Sequence, residues 1–461
     1  MHRTLQTAIA AMGLLFLAAA LAHTQDATDS TGAAATTGAA GSPVDVGVGV
    51  GLGARSFEED GGADVYQYLA FYPTFRYRKA QLGLDLTLHY TFTGGDGDEP
   101  EIREEDWVPG DDRNFLEVYL PKLRFLQWAQ PGDPLFARLG SLDGATLGNG
   151  FLLGGYRNTL FAPDRPALGA RVGVDGALIG FPYLGIEALA ANLAVFGLKG
   201  GRLYARPFAR NEVPQLGGTQ VGFTVVADSA VDYYADKTDT KDRTGAAAAI
   251  DDPGNVLLWG GDLRVPIVTE PPVTLDALLD YGAQEETHGG MVGGAGRIAR
   301  IVLYDGRIRL VGENFLPRYV DGVYDPYRME KYAVYAAEET VIEQHLGWYA
   351  SSGLAVLEDL VVLRASMEGP FGSPRGAENR LQGLFRLDRG PVPFLSVEAR
   401  YSEVGIDSFD DLIDPENSVI NARMTYHADP AAVSVVYNLR YDPAVDDYVI
   451  TSGVESEISL R

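Results

Sequence analysis

The sequence has no cysteine among its 461 residues. It can therefore form no disulfide, no thiolate nucleophile and no zinc–thiolate site. Beyond its N-terminal region it also lacks a hydrophobic run long enough for a membrane-spanning helix, which needs about 20 apolar residues. Basic residues are few, since 37 Lys and Arg stand against 63 Asp and Glu and give a net charge of -26. Because nucleic acids bind basic surfaces, this charge argues against a nucleic-acid partner.

Motifs of common enzymes are missing as well. The glycine-rich stretch 143–150 (DGATLGNG) has no lysine where a phosphate-binding loop requires one. Four of the histidines, His89, His288, His345 and His427, are scattered and belong to no HExxH motif, and no GxSxG motif occurs. The sequence therefore predicts a protein that is not an enzyme and has no catalytic residue, cofactor or metal site.

What the sequence has is a long alternation of apolar and polar residues. In the stretch 80–93 (AQLGLDLTLHYTFT), every second residue from Ala80 to Phe92 is apolar, while Asp85 and His89 lie on the other face. Successive side chains of a strand point to opposite sides, so this is a ribbon with one oily and one polar surface. Such a ribbon fits a soluble sandwich or the wall of a membrane barrel.

The N-terminus predicts export. A charged start (His2, Arg3) precedes an apolar run over 8–21 that ends in Ala-Leu-Ala, a pattern typical of a signal peptide cleaved after Ala22. Residues 23–43 are rich in Ala, Thr, Gly and Ser without periodicity, which predicts a disordered linker. The alternation begins at residue 44 and continues to residue 461, so we expect one β-domain over this range.

Connections between the expected strands alternate in length. Long ones are expected at 94–113, 143–167, 229–255, 286–295 and 318–341, and short ones at 78–79, 131–132, 270–271, 305–306 and 429–430. This alternation predicts an all-β fold, a transmembrane antiparallel up-and-down β-barrel of about 18–20 strands, with long extracellular loops and short periplasmic turns. The pattern does not decide whether the segment 143–167 is a folded loop, inside or outside the lumen, or an irregular pair of strands.

The pattern over 44–461 resembles bacterial outer-membrane β-barrel proteins of the porin or solute-channel type. The resemblance is architectural and carries no binding or catalytic motif. It implies location in the bacterial outer membrane and a pore for passive diffusion or uptake of small-molecule solutes. It also implies contact with outer-membrane lipid and with the barrel-assembly machinery, and it leaves a homo-oligomer open. The alternatives are a barrel-borne hydrolase and a structural or adhesive barrel with a filled lumen.

Two groups of residues are candidates for a functional site. Charged and polar residues on the inward face of expected strands would line a pore: Asp85, His89, Asp276, Asp280, Arg307, Arg309, Glu313, Arg364, Arg386, Glu398, Arg400, Arg423 and Arg440. An acidic loop would overhang the mouth and concentrate cations there: Asp96, Asp98, Glu99, Glu101, Glu104, Glu105 and Asp106. Its spacing does not match a calcium-binding EF-hand, so a solvated loop is favoured over a cation site.

The leader generates the first testable prediction. If signal peptidase cleaves after Ala22, N-terminal sequencing of the mature protein should begin at His23. A mature chain that begins at Met1 would contradict the assignment of 1–22 as a signal peptide.

Overall fold

A computed structural model describes residues 44–460 except 60–61, 93–99, 111–112, 131, 163–164, 236–249, 251, 407–417, 430 and 443–446. The predicted signal peptide and linker lie outside the described residues, so both remain predictions. All described strands belong to a single antiparallel sheet of 22 segments.

The first half of the sheet contains short strands and two broken positions. We call each place in the ring of strands a wall position. β3 and β4 together occupy one wall position, which is interrupted at Asp85, and β5 and β6 together occupy the next one. Its strands are β1 (Val44–Glu59), β2 (Gly62–Tyr77), β3 (Ala80–Leu84), β4 (Leu86–Phe92), β5 (Pro100–Ile102), β6 (Leu123–Trp128), β7 (Leu135–Gly140), β8 (Gly169–Asp175), β9 (Leu184–Ala190), β10 (Lys199–Ala205) and β11 (Gln220–Asp228).

The second half is more regular. Its strands are β12 (Val256–Val268), β13 (Val273–Gln284), β14 (Thr287–Ile298), β15 (Val302–Val311), β16 (His345–Val356), β17 (Val361–Pro370), β18 (Arg380–Leu387), β19 (Leu395–Val404), β20 (Ser418–Ala428), β21 (Ala431–Asp442) and β22 (Asp447–Leu460). β22 pairs with β1 from Val48–Leu460 to Arg55–Gly453, which closes the sheet. The result is a closed antiparallel barrel of 20 wall positions, as the sequence predicts.

Helices are few and short. They are α1 (Phe115–Tyr119), α2 (Pro214–Gly217) and α3 (Arg328–Tyr335). Within the described part of the chain, none is long and apolar enough to span a bilayer. α3 belongs to a connection at the rim that carries the long loops, and α2 belongs to a connection at the opposite, short-turn rim. α1 lies between β5 and β6.

The two faces of the wall are chemically distinct. Leu69, Phe71 and Leu86 are exposed on the outside, whereas Tyr68 and Tyr72 are buried on the inside. The two tyrosine rings cover glycines of β1, because a side chain at Gly51 or Gly53 would lie 2.8 Å from them. The alternation in the sequence therefore places apolar residues outside and mostly polar or small residues inside.

The expected turn at 305–306 and the expected loop at 286–295 are wrong. Residues 287–295 and 305–306 lie within the β14–β15 hairpin, where Gly306 pairs with Gly294 on one side and Ala350 on the other. The actual turn is 299–301, where Ala299 and Arg300 adopt positive φ without any glycine. The Asp-Gly pair suggested a turn, but Asp305 instead accepts hydrogen bonds from the guanidinium of Arg307 within the strand.

The facing of the wall generates a second prediction. Leu86 is exposed outside, and Asp85 lines the interior. Leu86→Arg should therefore impair folding into lipid vesicles more than Asp85→Arg, because a charge near the bilayer midplane costs ~2–4 kcal/mol. Equal folding yields of the two variants, measured by gel mobility, would contradict this orientation.

Candidate functional site

An internal plug occupies one side of the barrel. It consists of residues 141–162, 165–168 and 312–344, which leave the wall at the long-loop rim. Its two segments pair directly: Leu153 bridges Val320, and the Gly154 amide donates to the Val320 carbonyl at 2.9 Å. The stretch 143–167 is unassigned from sequence. Its described residues form a folded loop whose apolar side chains join the main buried cluster.

Glycines of the wall allow the plug to pack closely against the wall backbone. The rings and methyl groups of Phe151 and Leu152 lie so close to Gly282 that an added Cβ would stand 2.7 Å from Leu152. Phe315 approaches Gly289 in the same way, at 2.4 Å from an added Cβ. Any larger residue at these two positions would push the plug away from the wall.

Arg328 fastens the plug through buried charges. Its guanidinium contacts Asp228, the last residue of β11, at 3.1 Å and Asp325 at 2.8 Å. Tyr324 donates a hydrogen bond to Asp228 at 2.8 Å, and Tyr156 donates one to Asp325 at 3.1 Å. Burial raises the pKa of Asp325, and the Arg328 guanidinium opposes this shift. Paired in this way, the buried carboxylates have the partners that make their burial tolerable.

A second ion-pair cluster holds α3. Lys331 contacts Asp321 at 2.9 Å, and Arg380 of β18 contacts the same carboxylate at 3.3 Å. Burial lowers the pKa of Lys331 to about 8, against the attraction of Asp321. At neutral pH the ammonium is therefore still mostly charged, and the cluster links the plug to the wall.

Beside the plug lies a cavity of about 1370 Å³. It is bounded by β1–β4 and β19–β22 on the wall side and by residues 141–166 on the plug side. It reaches Arg389 and Asp429 at the short-turn rim, and Thr159 and Ala162 of the plug on the long-loop side. The cavity therefore runs lengthwise along the barrel beside the plug.

The lining of the cavity is more basic than the chain as a whole. Eight Lys and Arg line it against six Asp and Glu. The basic residues are Arg55, Arg113, Lys122, Arg124, Arg157, Arg389, Arg400 and Arg423, and the acidic ones are Asp85, Asp106, Asp143, Glu398, Asp429 and Glu455. In a chain of net charge -26, this is a local reversal of sign.

Several of these charges are paired with one another, along the wall or between the wall and the plug. Arg55 and Arg423 share Glu455, at 2.6 and 2.9 Å. Arg400 contacts Asp143 of the plug at 2.6 Å and Glu398 of its own strand at 3.0 Å. These pairs fix the side chains at the cavity surface and cancel much of their charge.

Arg157 differs because its guanidinium binds a neutral group. It projects from the plug, is only 6% exposed, and donates a hydrogen bond to the Asn421 side-chain oxygen at 2.9 Å. Burial and the neighbouring Arg400 lower the pKa of Arg157 to about 10, so it carries its charge at neutral pH. Among the described residues this positive charge has no carboxylate within ion-pair distance, and it borders the cavity.

The residues predicted from sequence to line a pore divide into two groups. Asp85, His89, Glu398, Arg400 and Arg423 border the cavity. The side chain of Arg440 lies outside the described residues. The remaining seven lie away from the cavity: Asp276, Asp280, Arg307, Arg309, Glu313, Arg364 and Arg386.

Among those away from the cavity, two contact the plug. Asn149 donates to the Asp280 carboxylate at 2.9 Å, and its carbonyl accepts from Arg307 at 2.7 Å. Glu313 is itself part of the plug and accepts a hydrogen bond from Thr340 there. The other four bind nearby wall residues: Arg309 with Glu368, Asp276 with Arg264, Arg364 with Ser351, and Arg386 with Asp388.

The predicted acidic loop is only partly described. Asp96, Asp98 and Glu99 lie outside the described residues, Glu101 is an exposed residue of β5, and Glu104 and Glu105 are exposed in a short 3-10 turn. Asp106 turns inward instead. Its carboxylate lies 2.6 Å from His89 Nδ1 and 2.9 Å from the Arg103 guanidinium.

Four further residues line the cavity but are not among those predicted from the sequence: Arg55, Glu455, Asp143 and Arg157. Arg55 and Glu455 lie on the inward face of β1 and β22, so the alternation itself could have identified them. Asp143 and Arg157 belong to a loop without periodicity, and no signal in the sequence places either of them in the lumen.

No protein-family model matches the chain, and comparison with curated proteins gives no significant match. Among solved structures it is similar to OpdO of Pseudomonas aeruginosa (11% identity, TM-score 0.37, covering 90% of this chain and 96% of that one). It is also similar to OccK11 (OpdR) of the same organism (12%, TM-score 0.37, 90% and 96%) and to OccAB4 of Acinetobacter baumannii (8%, TM-score 0.31, 90% and 97%). At these values the likeness assigns no solute, and the barrel rests on its own strand pairings.

The fastening of the plug generates a third prediction. Arg328→Met leaves Asp228 and Asp325 buried without their cation, which typically costs about 3–5 kcal/mol. The plug should loosen, so single-channel recordings should show a larger and noisier conductance than the parent protein. Arg297→Met is the matched control, because Arg297 is paired at 2.8 Å with Asp359 at the short-turn rim and not with the plug. A folded Arg328→Met barrel with unchanged conductance would contradict the role assigned to this contact.

Proposed function

We propose that the protein is an outer-membrane pore for passive diffusion of small hydrophilic solutes. The observation that carries this proposal is the cavity of about 1370 Å³ that runs lengthwise along the barrel beside the plug. A structural barrel with a filled lumen needs no such passage. The plug narrows a wide barrel to a channel of solute size, which favours small molecules over macromolecules.

The outer surface supports the membrane location. Apolar side chains such as Leu52, Leu69, Phe71, Leu279 and Val292 are exposed along several wall strands. A soluble protein rarely exposes so extended an apolar surface, whereas a barrel wall facing lipid requires one. Pairing of β22 with β1 closes the sheet, so neither its first nor its last strand presents an open edge to the bilayer.

The charge of the lining supports a preference for anions. Basic residues outnumber acidic ones in the cavity, and Arg157 binds a neutral amide rather than a carboxylate. Charged rings at a narrow point select ions of opposite sign. The acidic loop would act in the opposite direction at the mouth, so the proposed preference is set inside the barrel.

The hydrolase alternative has one observation in its favour. Ser396 Oγ and His427 Nε2 lie 3.0 Å apart, and His427 borders the cavity near the short-turn rim. A serine nucleophile also needs its histidine oriented by a third group. Across the described ranges, no carboxylate accepts a hydrogen bond from His427, so the pore is the better-supported function.

Planar-bilayer recording of reversal potential under a KCl gradient tests the proposal. The parent protein should conduct and prefer chloride. Arg157→Gln should lower the chloride-to-potassium permeability ratio on the order of two- to fivefold, because it removes a poorly screened charge from the lining.

Arg138→Gln is the matched control for this measurement. Arg138 is on β7, outside the cavity lining, and should leave the ratio unchanged. Absence of any conductance would overturn the pore. Conduction with identical selectivity in both variants and the parent would overturn the assignment of anion preference to Arg157.

A further inference from the structure

The hydrogen-bonded wall is interrupted at one place beside the channel. β4 pairs with β2 over Leu86–Tyr90, but on its other side it pairs with β5 only over Tyr90–Phe92. Lower down, β3 pairs with β6 from Ala80 to Leu84. Within the described sheet, no strand pairs with β4 on this side over residues 86–88. A gap in the ladder therefore lies between the β5 and β6 pieces of one wall position.

Residues 113–122 close this gap, and we call them the wall panel. They consist of α1 followed by a 3-10 turn, Leu120–Lys122. The Asp85 amide donates to the Lys122 carbonyl at 2.8 Å, which joins the panel to the β3–β4 break. On the other side, Tyr233 donates a hydrogen bond to the Glu117 carboxylate at 2.8 Å. The panel is further joined to the chain by Tyr119, which donates to the Trp107 carbonyl at 2.9 Å. These are separate bonds and not a continuous ladder, and a segment without a ladder opens at lower free energy than a strand held by a full one.

The wall panel has two different faces. Val118 is 2% exposed and borders the channel together with Pro121 and Lys122. Phe115 and Leu116 are 63% and 46% exposed, and Tyr119 is also exposed. One short segment thus separates the channel from the outside.

The height of the panel matches the apolar band of the wall. In the β2–β4 pairing, Phe71 lies opposite Leu86 and Leu69 opposite Leu88. Phe71, Leu69 and Leu86 are exposed on the outside. The exposed side of the panel therefore continues a surface that faces acyl chains in the proposed membrane orientation.

The channel side of the panel is cationic. Arg113 and Lys122 both border the cavity. Arg113 donates to the Glu117 carbonyl at 3.2 Å, and the Lys122 ammonium lies 4.0 Å from the Trp107 ring centroid. Neither is within ion-pair distance of a carboxylate among the described residues, although the carboxylates of Asp85 and Asp106 act on Lys122 from nearby. Asp106 already has ion-pair partners of its own. Two cationic side chains next to an apolar exterior fit a molecule with an anionic head and an alkyl tail.

We propose that the wall panel is a lateral port for single-chain anionic amphiphiles. The head group binds in the channel at Lys122 and Arg113, and the alkyl tail passes between the panel and β4 into the surrounding lipid. This proposal rests on the proposed membrane pore and adds to it a second class of solute and a second route.

Photolabelling of the full-length protein in phosphatidylcholine nanodiscs tests the port. The probe is a C12 fatty-acid anion with a mid-chain diazirine, and the labelled residues are identified by mass spectrometry. The expected result is label on the channel side of the panel, at Val118 and Pro121, as well as on Phe115 and Leu116. A diazirine-bearing phosphatidylcholine should label only Phe115 and Leu116, because its two chains remain in the bilayer.

Charge variants complete the experiment. Lys122→Met should reduce labelling of Val118 by the fatty-acid probe roughly tenfold, the size expected for one charge-assisted contact. Lys79→Met is the matched control, since Lys79 lies in the β2–β3 turn, pairs with Asp133 and should leave the labelling unchanged. The same C12 chain with a trimethylammonium head should not label Val118.

Three results would overturn the port: labelling confined to the outer face, equal labelling by the cationic analogue, or no effect of Lys122→Met. Chloride conductance of the same preparation separates this failure from that of the pore. A conducting protein without label at Val118 leaves the pore standing and removes the port. A protein without conductance removes the pore itself.

Discussion

The structure depends on the requirement that a strand edge be paired. In a wall that faces lipid, an unpaired amide or carbonyl finds no water, so the sheet must close. Pairing of β1 with β22 meets this requirement and brings both ends of the described chain to the same rim. Twenty antiparallel wall positions then enclose a lumen far wider than a close-packed core. Closure therefore creates the space that the rest of the chain has to fill or leave open.

The plug fills one side of this lumen. Glycines such as Gly282 and Gly289 let Leu152 and Phe315 approach the wall backbone, and buried ion pairs around Arg328 secure the contact. Apolar packing alone would allow the plug to slide, whereas paired buried charges fit only one position. The plug therefore stays on one side, and the channel lies along the other.

The charge of the cavity lining differs in sign from the net charge of the chain. The chain is strongly acidic, yet the channel lining carries more Lys and Arg than Asp and Glu. Loops and rims can carry acidic residues at little cost because water solvates them, while arginines with long apolar stems suit a narrow interior. The net charge of the chain therefore does not predict the charge of the cavity lining.

The alternation by itself determined the closed barrel and the facing of residues such as Leu86, Asp85 and Arg400, because strand geometry converts sequence parity directly into inside and outside. It could not determine that Asp280 would bind the plug while Arg400 would border a channel, since both simply point inward. Nor could it place Arg157, whose loop has no period. Those assignments depend on which half of the lumen the plug fills, and only contacts between residues far apart in sequence decide that.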